Sequence, residues 1–331
     1  MTFALFPAYR FQQYKEQSCL AIVGAARQVS ENLGYIAVRG HRKKNSMRSE
    51  RYCMTTEQKI PEIGKSIHAF GVLTNYHEAG SGKAVILIHG SGPGVSAWSN
   101  WRLAIPYLAE RLHAFAYDQL GFGYTELPAQ HVYGLECWTE HLFRFMDAVG
   151  VERAHLIGNS MGAAVALAAA VLHPERVDKL VLMGAMGVHF PITAGLDAVW
   201  GYMPSVDNMK HLIDIFAYDR TLVTDTLAEQ RYRASIRPGM QEAFSSMFPA
   251  PRQQGVDAMA RYEDRLSTIQ APALVFHGRE DRVIPLSTSQ KLLRLLPNVQ
   301  LHIFGHCGHW TQTEHAAAFN RIVRDFLTDE E

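Results

Sequence analysis

The sequence predicts an α/β protein: a doubly wound, mostly parallel sheet with a helical cap inserted between two of its strands. From residue 67 onwards, short apolar runs alternate with longer amphipathic stretches, as strands and helices do around a parallel sheet. This alternation stops after Gly187 for about seventy residues and then resumes, which indicates an insertion rather than a second sheet.

The composition excludes several classes of protein. Of the 331 residues, 47% are hydrophobic and 19% are charged, so a disordered or fibrous chain is excluded. The 32 basic and 32 acidic residues cancel, so the net charge gives no reason to expect binding to nucleic acid or to a membrane. The four cysteines show neither metal-site nor disulfide-scaffold spacing, and no apolar run is long enough to span a bilayer. We therefore expect a cytoplasmic protein.

The first 53 residues differ in charge from the rest. They hold 9 Lys/Arg and 3 Asp/Glu, a net charge of +6 (9 − 3). The remaining residues hold 23 and 29, a net charge of −6 (23 − 29). We expect residues 1–53 to be a non-native or disordered N-terminal extension, with Met54 as the natural start.

The elements before the insertion follow from periodicity and turn residues. Continuous apolar runs are typical of strands buried on both faces, whereas the alternating run near residue 72 is typical of an edge strand. Strands are predicted at residues 72–76, 85–88, 114–117, 154–157 and 179–183. Helices are predicted at residues 104–111, 136–149 and 162–172.

The insertion and the elements after it complete the predicted domain. Residues 190–256 show helical patterns rich in Trp, Met and Phe, broken by five prolines and without a convincing strand. They are the predicted cap, and residues 54–189 and 257–331 are the predicted core. The alternation then resumes with strands at 273–277 and 300–304, a helix at 287–296 and a C-terminal helix from His315.

A single G-x-S-x-G motif, Gly158 to Gly162, lies between a predicted strand and a predicted helix. In this context the motif is typical of a nucleophile elbow. The turn is so tight that glycine at both flanking positions avoids side-chain clashes, and the serine hydroxyl projects at the helix N-terminus. We predict Ser160 to be a nucleophile.

A serine hydroxyl needs a base, and the base needs an orienting acid. With this elbow, the acid and the histidine follow the serine in that order, on loops after late strands. The first such loop offers Glu280 and Asp281, and the second offers His306 and His309. We choose Asp281 because its shorter arm suits a fixed hydrogen bond to imidazole, and His309 because Gly308 frees the backbone before it. Glu280 and His306 stay open as alternatives.

The glycine-rich loop at residues 89–94 directly follows the strand at 85–88. Such a loop can present a backbone N–H group to a reacting centre. We predict that the N–H groups of Ser91 and Met161 form an oxyanion hole and that Gly90 and Gly92 line the substrate site. Together, the elbow, the acid loop, the histidine loop and this loop predict an α/β-hydrolase fold.

Several stretches resemble the meta-cleavage-product hydrolases, the carbon–carbon bond hydrolases of aromatic-ring degradation. These are residues 89–102 (HGSGPGVSAWSNWR), 158–162 (GNSMG), 278–282 (GREDR) and 307–312 (CGHWTQ). Residues 190–202 and 231–239 are similar to the subgroup that acts on monocyclic ring-fission products. The resemblance runs from about residue 62 to residue 327. Haloalkane dehalogenases and epoxide hydrolases are excluded because they carry aspartate at the elbow.

The resemblance implies hydrolysis of a carbon–carbon bond in a 2-hydroxy-6-oxohexa-2,4-dienoate, either 2-hydroxymuconate semialdehyde or a 6-alkyl analogue. The products would be 2-hydroxypenta-2,4-dienoate and a small carboxylic acid. Nothing in the sequence suggests a cofactor or a metal, since the His and Cys residues near 302–309 lack zinc-site spacing. It implies that the dienol is first ketonised and then cleaved, with His309 moving protons in both stages. Ser160 either forms an acyl intermediate or activates water, and we favour the acyl route.

The resemblance also implies substrate contacts. Arg231 matches the carboxylate-binding arginine of the family, and Asn100 matches a residue near the same end of the substrate. Asn159 flanks the nucleophile, and Trp310 packs beside the base. Met161 departs from the subgroup, in which phenylalanine is common at this position.

Each of these residues also has a purely structural interpretation. Arg231 could be one of three solvated cap arginines, with Arg233 and Arg237. Asn100 could be a helix N-cap, and Trp310 and Trp98 could be ordinary core aromatics. Cys307 is a packing residue rather than a second nucleophile.

Two other functions remain open at this stage. A carboxylesterase could use the same three residues, although a buried arginine would penalise neutral esters. A non-catalytic ligand receptor could keep the same fold. For an enzyme of this family we expect a small anionic substrate and a homo-oligomer.

Overall fold

The computed structural model describes residues 60–128, 130 and 133–329. The predicted extension, residues 1–53, and the proposed start at Met54 lie outside the described residues.

Eight strands form the central sheet: β1 Lys65–Ala69, β2 Val72–Ala79, β3 Ala84–Ile88, β4 His113–Tyr117, β5 Ala154–Asn159, β6 Val177–Met183, β7 Ala273–Gly278 and β8 Val299–Phe304. Their order across the sheet is β1-β2-β4-β3-β5-β6-β7-β8. β2 is antiparallel to both of its neighbours, and the other pairs are parallel. The predicted mostly parallel sheet is confirmed.

The first hairpin corrects the sequence prediction. The sequence predicts β2 as an edge strand, and this is wrong, because β1 pairs along its outer side with Ala69 opposite Val72. Phe70 and Gly71 close the hairpin with left-handed φ angles of 53° and 77°. Most of β1 is exposed, so it lacks the apolar pattern that reveals a strand in sequence.

Helices cover both faces of the sheet. They are α1 Ala97–Trp101, α2 Ile105–Leu108, α3 Leu135–Ala148, α4 Met161–Leu172, α5 Ala194–Trp200, α6 Val206–Phe216, α7 Asp225–Ser235, α8 Met240–Met247, α9 Gln253–Met259, α10 Leu286–Leu295, α11 Thr311–Glu314 and α12 Ala316–Thr328. Residues of α1, α2 and α12 share one apolar cluster, and residues of α3, α4 and α10 share the other. The sheet is therefore doubly wound, as predicted.

Two predicted helices differ from the observed ones. The predicted helix at 104–111 shortens to the single turn of α2, which has a proline in its first turn. The predicted C-terminal helix from His315 is two helices, because α11 begins at Thr311 and the chain bends at His315 before α12. Helix α1 was not predicted.

The chain between β6 and β7 is helical. Residues 184–272, all of which the structure describes, hold helices α5 to α9 and no strand. Three of these helices begin where a hydroxyl side chain accepts a hydrogen bond from a first-turn N–H group: Thr193 before α5, Ser205 before α6 and Thr224 before α7. The predicted cap limits, residues 190 and 256, remain predictions.

No helix in the described part of the chain has the length and apolar character needed to cross a lipid bilayer.

Candidate active site

The predicted site residues follow the carboxyl ends of parallel strands in the central sheet. Ser160 follows β5, Asp281 lies three residues after β7, and His309 lies five residues after β8. The glycine-rich loop that begins at His89 follows β3. In open α/β sheets, this edge is where ligands bind.

The turn at Ser160 is as tight as the motif predicts. Ser160 has φ 54° and ψ −115°, a conformation that non-glycine residues rarely adopt. A Cβ atom on Gly158 would lie 2.4 Å from the carbonyl oxygen of Gly162, and one on Gly162 would lie 2.3 Å from that of Ile88. Both glycines are therefore required by backbone crowding.

Asp281 and His309 meet directly. The Nδ1 atom of His309 lies 2.7 Å from Oδ2 of Asp281, and both side chains are buried. The other oxygen, Oδ1, accepts the N–H groups of Val283 and Ile284 at 2.8 and 3.0 Å, which fixes the carboxylate plane. With Nδ1 bound to the acid, Nε2 of His309 is the nitrogen left for proton transfer.

Electrostatics keep Asp281 ionised. Burial by itself would raise the pKa of this carboxyl, but the imidazole of His309 and that of His277, together with the N–H of Ile284, outweigh burial and lower the pKa. His277 lies beneath the acid, with Nε2 3.5 Å from Oδ2 of Asp281. A buried carboxylate held in this way can stabilise a protonated imidazole.

The alternative acid and base residues point elsewhere. Glu280 accepts the N–H of Cys307 at 3.0 Å and pairs with Arg279. His306 is exposed, with its ring 5.5 Å from that of Tyr218. The structure therefore joins Asp281 to His309 and leaves Glu280 and His306 outside this pair. Burial raises the pKa of the Cys307 thiol, which agrees with a packing residue.

One cavity brings the predicted residues together. Ser160 and His309 both line it, as do the other predicted contacts Gly90, Ser91, Gly92, Asn100, Asn159, Arg231 and Trp310.

The loop after β3 is packed against the serine. A Cβ atom on Gly90 would lie 3.2 Å from Cβ of Ser160, so the N–H of Ser91 is carried close to the elbow. Met161 is the first residue of α4, and its N–H has no partner within the helix. The side chain of Ser91 is also held, because its hydroxyl oxygen accepts the indole N–H of Trp200 at 3.0 Å.

A cation lies at one side of the cavity. The guanidinium of Arg231 donates to the carbonyl oxygen of Gly94 at 3.3 Å and lies 5.9 Å from the ring centre of Trp310. Among the described residues, no carboxylate lies within 4.0 Å of it. Burial lowers the pKa of Arg231 to about 10, so it remains a cation at neutral pH. Arg233 differs, because it is exposed and pairs with Glu229.

Two amides also line the cavity, and with Arg231 we call them its polar wall. The buried Nδ2 of Asn100 has no hydrogen-bond partner, which leaves a donor for a ligand. Nδ2 of Asn159 donates to the carbonyl of Met183 at 3.3 Å. The interpretation of Asn100 as an N-cap is wrong, because Ser96 caps α1 and Asn100 lies in the last turn.

Much of the cavity lining is apolar and comes from the helices between β6 and β7. The residues that we call the apolar wall are Leu196, Val199, Met209, Ile213, Phe216 and Val283. Phe216 stacks on Trp310 with ring centres 5.1 Å apart and on His309 at 5.8 Å. Trp98 lies outside the cavity, against His77.

Sequence reasoning missed Phe216 and Trp200. Both are aromatic residues in helical patterns, and nothing in a single sequence separates them from the other aromatic residues between β6 and β7. No group of three or more His, Cys, Asp or Glu side chains that could hold a metal ion occurs within the part of the chain that the structure describes.

Comparisons with known proteins give a consistent result. The family model described as alpha/beta hydrolase fold matches residues 83–316. A 2-hydroxymuconate semialdehyde hydrolase of Pseudomonas sp. (strain CF600) is 55% identical over 276 residues, covering 83% of this chain and 98% of the relative. A 2-hydroxy-6-oxo-2,4-heptadienoate hydrolase of Pseudomonas putida is 54% identical over 270 residues, covering 82% and 98%.

A solved structure agrees with these relatives. It is a serine-to-alanine variant of a meta-cleavage product hydrolase from Pseudomonas fluorescens IP01, complexed with acetates. It matches with a TM-score of 0.79 and 55% identity, covering 80% of this chain and 98% of that one.

Proposed function

The chain belongs to the meta-cleavage product hydrolases of the α/β-hydrolase family, and from this premise we propose that it hydrolyses 2-hydroxy-6-oxohexa-2,4-dienoates. Its substrate is 2-hydroxymuconate semialdehyde or a 6-alkyl analogue. Water adds across the C5–C6 bond, which yields 2-hydroxypenta-2,4-dienoate and a small carboxylic acid. Such ring-fission products arise in aromatic catabolism.

The observation that carries the proposal is the unpaired cation beside the serine. A guanidinium without a carboxylate partner among the described residues, in the same cavity as Ser160 and His309, favours an anionic substrate. The carboxylate of the dienoate binds Arg231 and the free amide of Asn100. Its acyl end then lies toward Ser160 and the apolar wall.

The reaction needs two stages because a carbon–carbon bond has no heteroatom leaving group. The enol must first become a ketone, with the proton moving from the C2 hydroxyl to C5. The leaving carbon can then depart with its electron pair delocalised into the α-keto acid. His309 is the base and acid that moves this proton, and the C2 end is held by the polar wall of the cavity.

Cleavage then follows the serine route. His309 removes the proton of Ser160, whose oxygen attacks C6, and the N–H groups of Ser91 and Met161 stabilise the resulting oxyanion. When the C5–C6 bond breaks, the imidazolium of His309 gives its proton to the departing dienolate, which releases the dienol product and leaves an acyl group on Ser160. Water, deprotonated by His309, releases the carboxylic acid. Asp281 stabilises the imidazolium in each step.

The test follows the absorbance of the dienolate on mixing with pure protein. The wild-type chain removes it and releases one carboxylic acid per dienoate consumed. Ser160→Ala lowers kcat by at least about 10³-fold, while the bound dienoate still gives a spectral shift. Hydrolysis of neutral esters but not of dienoates would instead indicate a carboxylesterase. Binding without turnover by the wild type would indicate a receptor.

We also propose that the chain forms a homo-oligomer and acts in the cytoplasm. Light scattering of the purified chain measures the first, and fractionation of cells that express it measures the second.

A further inference from the structure

A second carboxylate, outside the proposed catalytic set, joins the histidine loop to the cap. Glu314 is the last residue of α11, five residues after His309, and its side chain is half-buried. Oε1 accepts the N–H of Gly308 at 2.9 Å. Oε2 accepts two further N–H groups, those of Tyr218 at 2.7 Å and Asp219 at 2.8 Å.

These three donors come from two different parts of the chain. Gly308 immediately precedes the proposed base, whereas Tyr218 and Asp219 lie just after α6, the helix that supplies Phe216 to the cavity. Within the described residues, no Lys, Arg or His nitrogen lies within 4.0 Å of the Glu314 carboxylate. The carboxylate is therefore held by backbone donors, in the manner of a bridge between two segments.

The backbones at this junction are in direct contact. The N–H of His309 donates to the carbonyl of Phe216 at 2.7 Å. A Cβ atom on Gly308 would lie 2.4 Å from that same carbonyl oxygen. The backbone at His309 is thus attached to the end of α6, and the Glu314 carboxylate accepts N–H groups from both segments.

We propose that Glu314 is a positioning residue that sets His309 against the apolar wall of the cavity by holding Gly308 and the end of α6 with one carboxylate. This inference rests on the proposed function, since it assigns a residue to the same reaction. A shift of about 1 Å in a catalytic group can cost about 100-fold in rate, so a three-bond bridge at this point has a kinetic consequence.

The experiment compares Glu314→Gln with Glu280→Gln. A glutamine side chain at position 314 has only one acceptor oxygen. It can accept the N–H of Gly308 or those of Tyr218 and Asp219, but not both, and its NH₂ group then faces the N–H donors of the other segment. Glu280 is the matched control because it also accepts an N–H of the histidine loop, from Cys307 at 3.0 Å, but does not reach α6. Kinetics are measured on dienoate at a temperature where circular dichroism shows both variants folded.

For Glu314→Gln we expect kcat to fall about tenfold or more. KM should stay within about twofold, because the proposed contacts to the substrate carboxylate at Arg231 and Asn100 are intact. For Glu280→Gln, both constants should stay within about twofold. Glu314→Asp keeps the charge, but its side chain is too short to bridge the two segments, so its kcat should fall as in Glu314→Gln. This variant also tests the proposal if Glu314→Gln does not fold.

Hydrogen exchange gives a readout without substrate. The amides of Gly308, Tyr218 and Asp219 should exchange faster in Glu314→Gln than in the wild type. In Glu280→Gln, their exchange rates should equal those of the wild type. An unchanged kcat, an equal loss in both variants, or a rise in KM alone would each overturn the role of Glu314. Absence of dienoate cleavage by the wild type would instead refute the proposed function, so the two failures are distinguishable.

Discussion

Replacing Arg231 by methionine separates substrate binding from stability more sharply than any other change in the cavity. The guanidinium makes one hydrogen bond to the protein, at 3.3 Å to Gly94, and has no carboxylate within ion-pair distance among the described residues. Methionine keeps an unbranched side chain and removes the charge. The folded protein without substrate therefore loses little.

The expected loss of kcat/KM follows from the ion pair that Arg231 forms only when the substrate carboxylate is bound. Breaking a buried ion pair by removing one partner costs roughly 3–5 kcal/mol, and Arg231 is only half-buried, so we take about 3 kcal/mol. Each 1.4 kcal/mol is about tenfold in an equilibrium constant. We expect kcat/KM for the dienoate to fall about 100-fold, with the free energy of unfolding changed by less than about 1 kcal/mol.

The assay is the loss of dienolate absorbance, run with a neutral ester beside the dienoate. Arg233→Met is the matched control, because Arg233 lies on the same helix but is exposed and pairs with Glu229. It should keep its kcat/KM within about twofold. An equal loss on dienoate and neutral ester in Arg231→Met would refute the carboxylate role.

The same residue predicts a pH dependence. Burial lowers the pKa of Arg231 to about 10, so the side chain is a cation below that pH and neutral above it. In wild-type protein, kcat/KM for the anionic dienoate should fall as pH rises through about 10. Arg231→Met should lack this fall, and its persistence would assign the titration to another group.

Three further changes test the geometry of the site. Asp281→Asn should lower kcat by about 10³–10⁴-fold, whereas Glu280→Gln should not, since only the aspartate meets the base. Trp200→Phe should lower kcat about three- to tenfold, because it removes the N–H bonded to Ser91 while keeping an aromatic ring. Gly162→Ala should lower the free energy of unfolding by about 3 kcal/mol, since the backbone clash outweighs the roughly 1 kcal/mol that alanine gains in a helix.

Each of these has a result that contradicts it. An equal loss of kcat in Asp281→Asn and Glu280→Gln would refute the argument that contact with His309 identifies the catalytic acid. A Trp200→Phe variant with wild-type kcat would show that the hydrogen bond from Trp200 to the Ser91 hydroxyl is not needed to position the Ser91 N–H group. Chemical denaturation of Gly134→Ala is the control for the glycine, because a Cβ there meets only one atom, at 3.9 Å. It should lower the free energy of unfolding by only about 1 kcal/mol, the cost of alanine at the N-cap of α3.

The sequence predicted the parts of the site whose requirements are local. The elbow at Ser160 needs glycines two residues away on either side, and the crowding at Gly158 and Gly162 bears out that reason. The buried strands were predicted nearly to their ends, because both faces of a parallel strand are apolar. The exposed strand β1 was missed because it carries no such pattern.

Tertiary structure alone decided which residues of α5 and α7 meet the glycine-rich loop after β3. Trp200 bonds to Ser91 across 109 residues, and Arg231 bonds to Gly94 across 137. Nothing in the local pattern of α5 or α7 distinguishes these side chains from their neighbours. Such contacts depend on how two separately formed surfaces pack, and that packing is set by the shapes of many side chains at once. Local backbone crowding can be predicted from neighbouring residues in the sequence, whereas contacts between distant segments cannot.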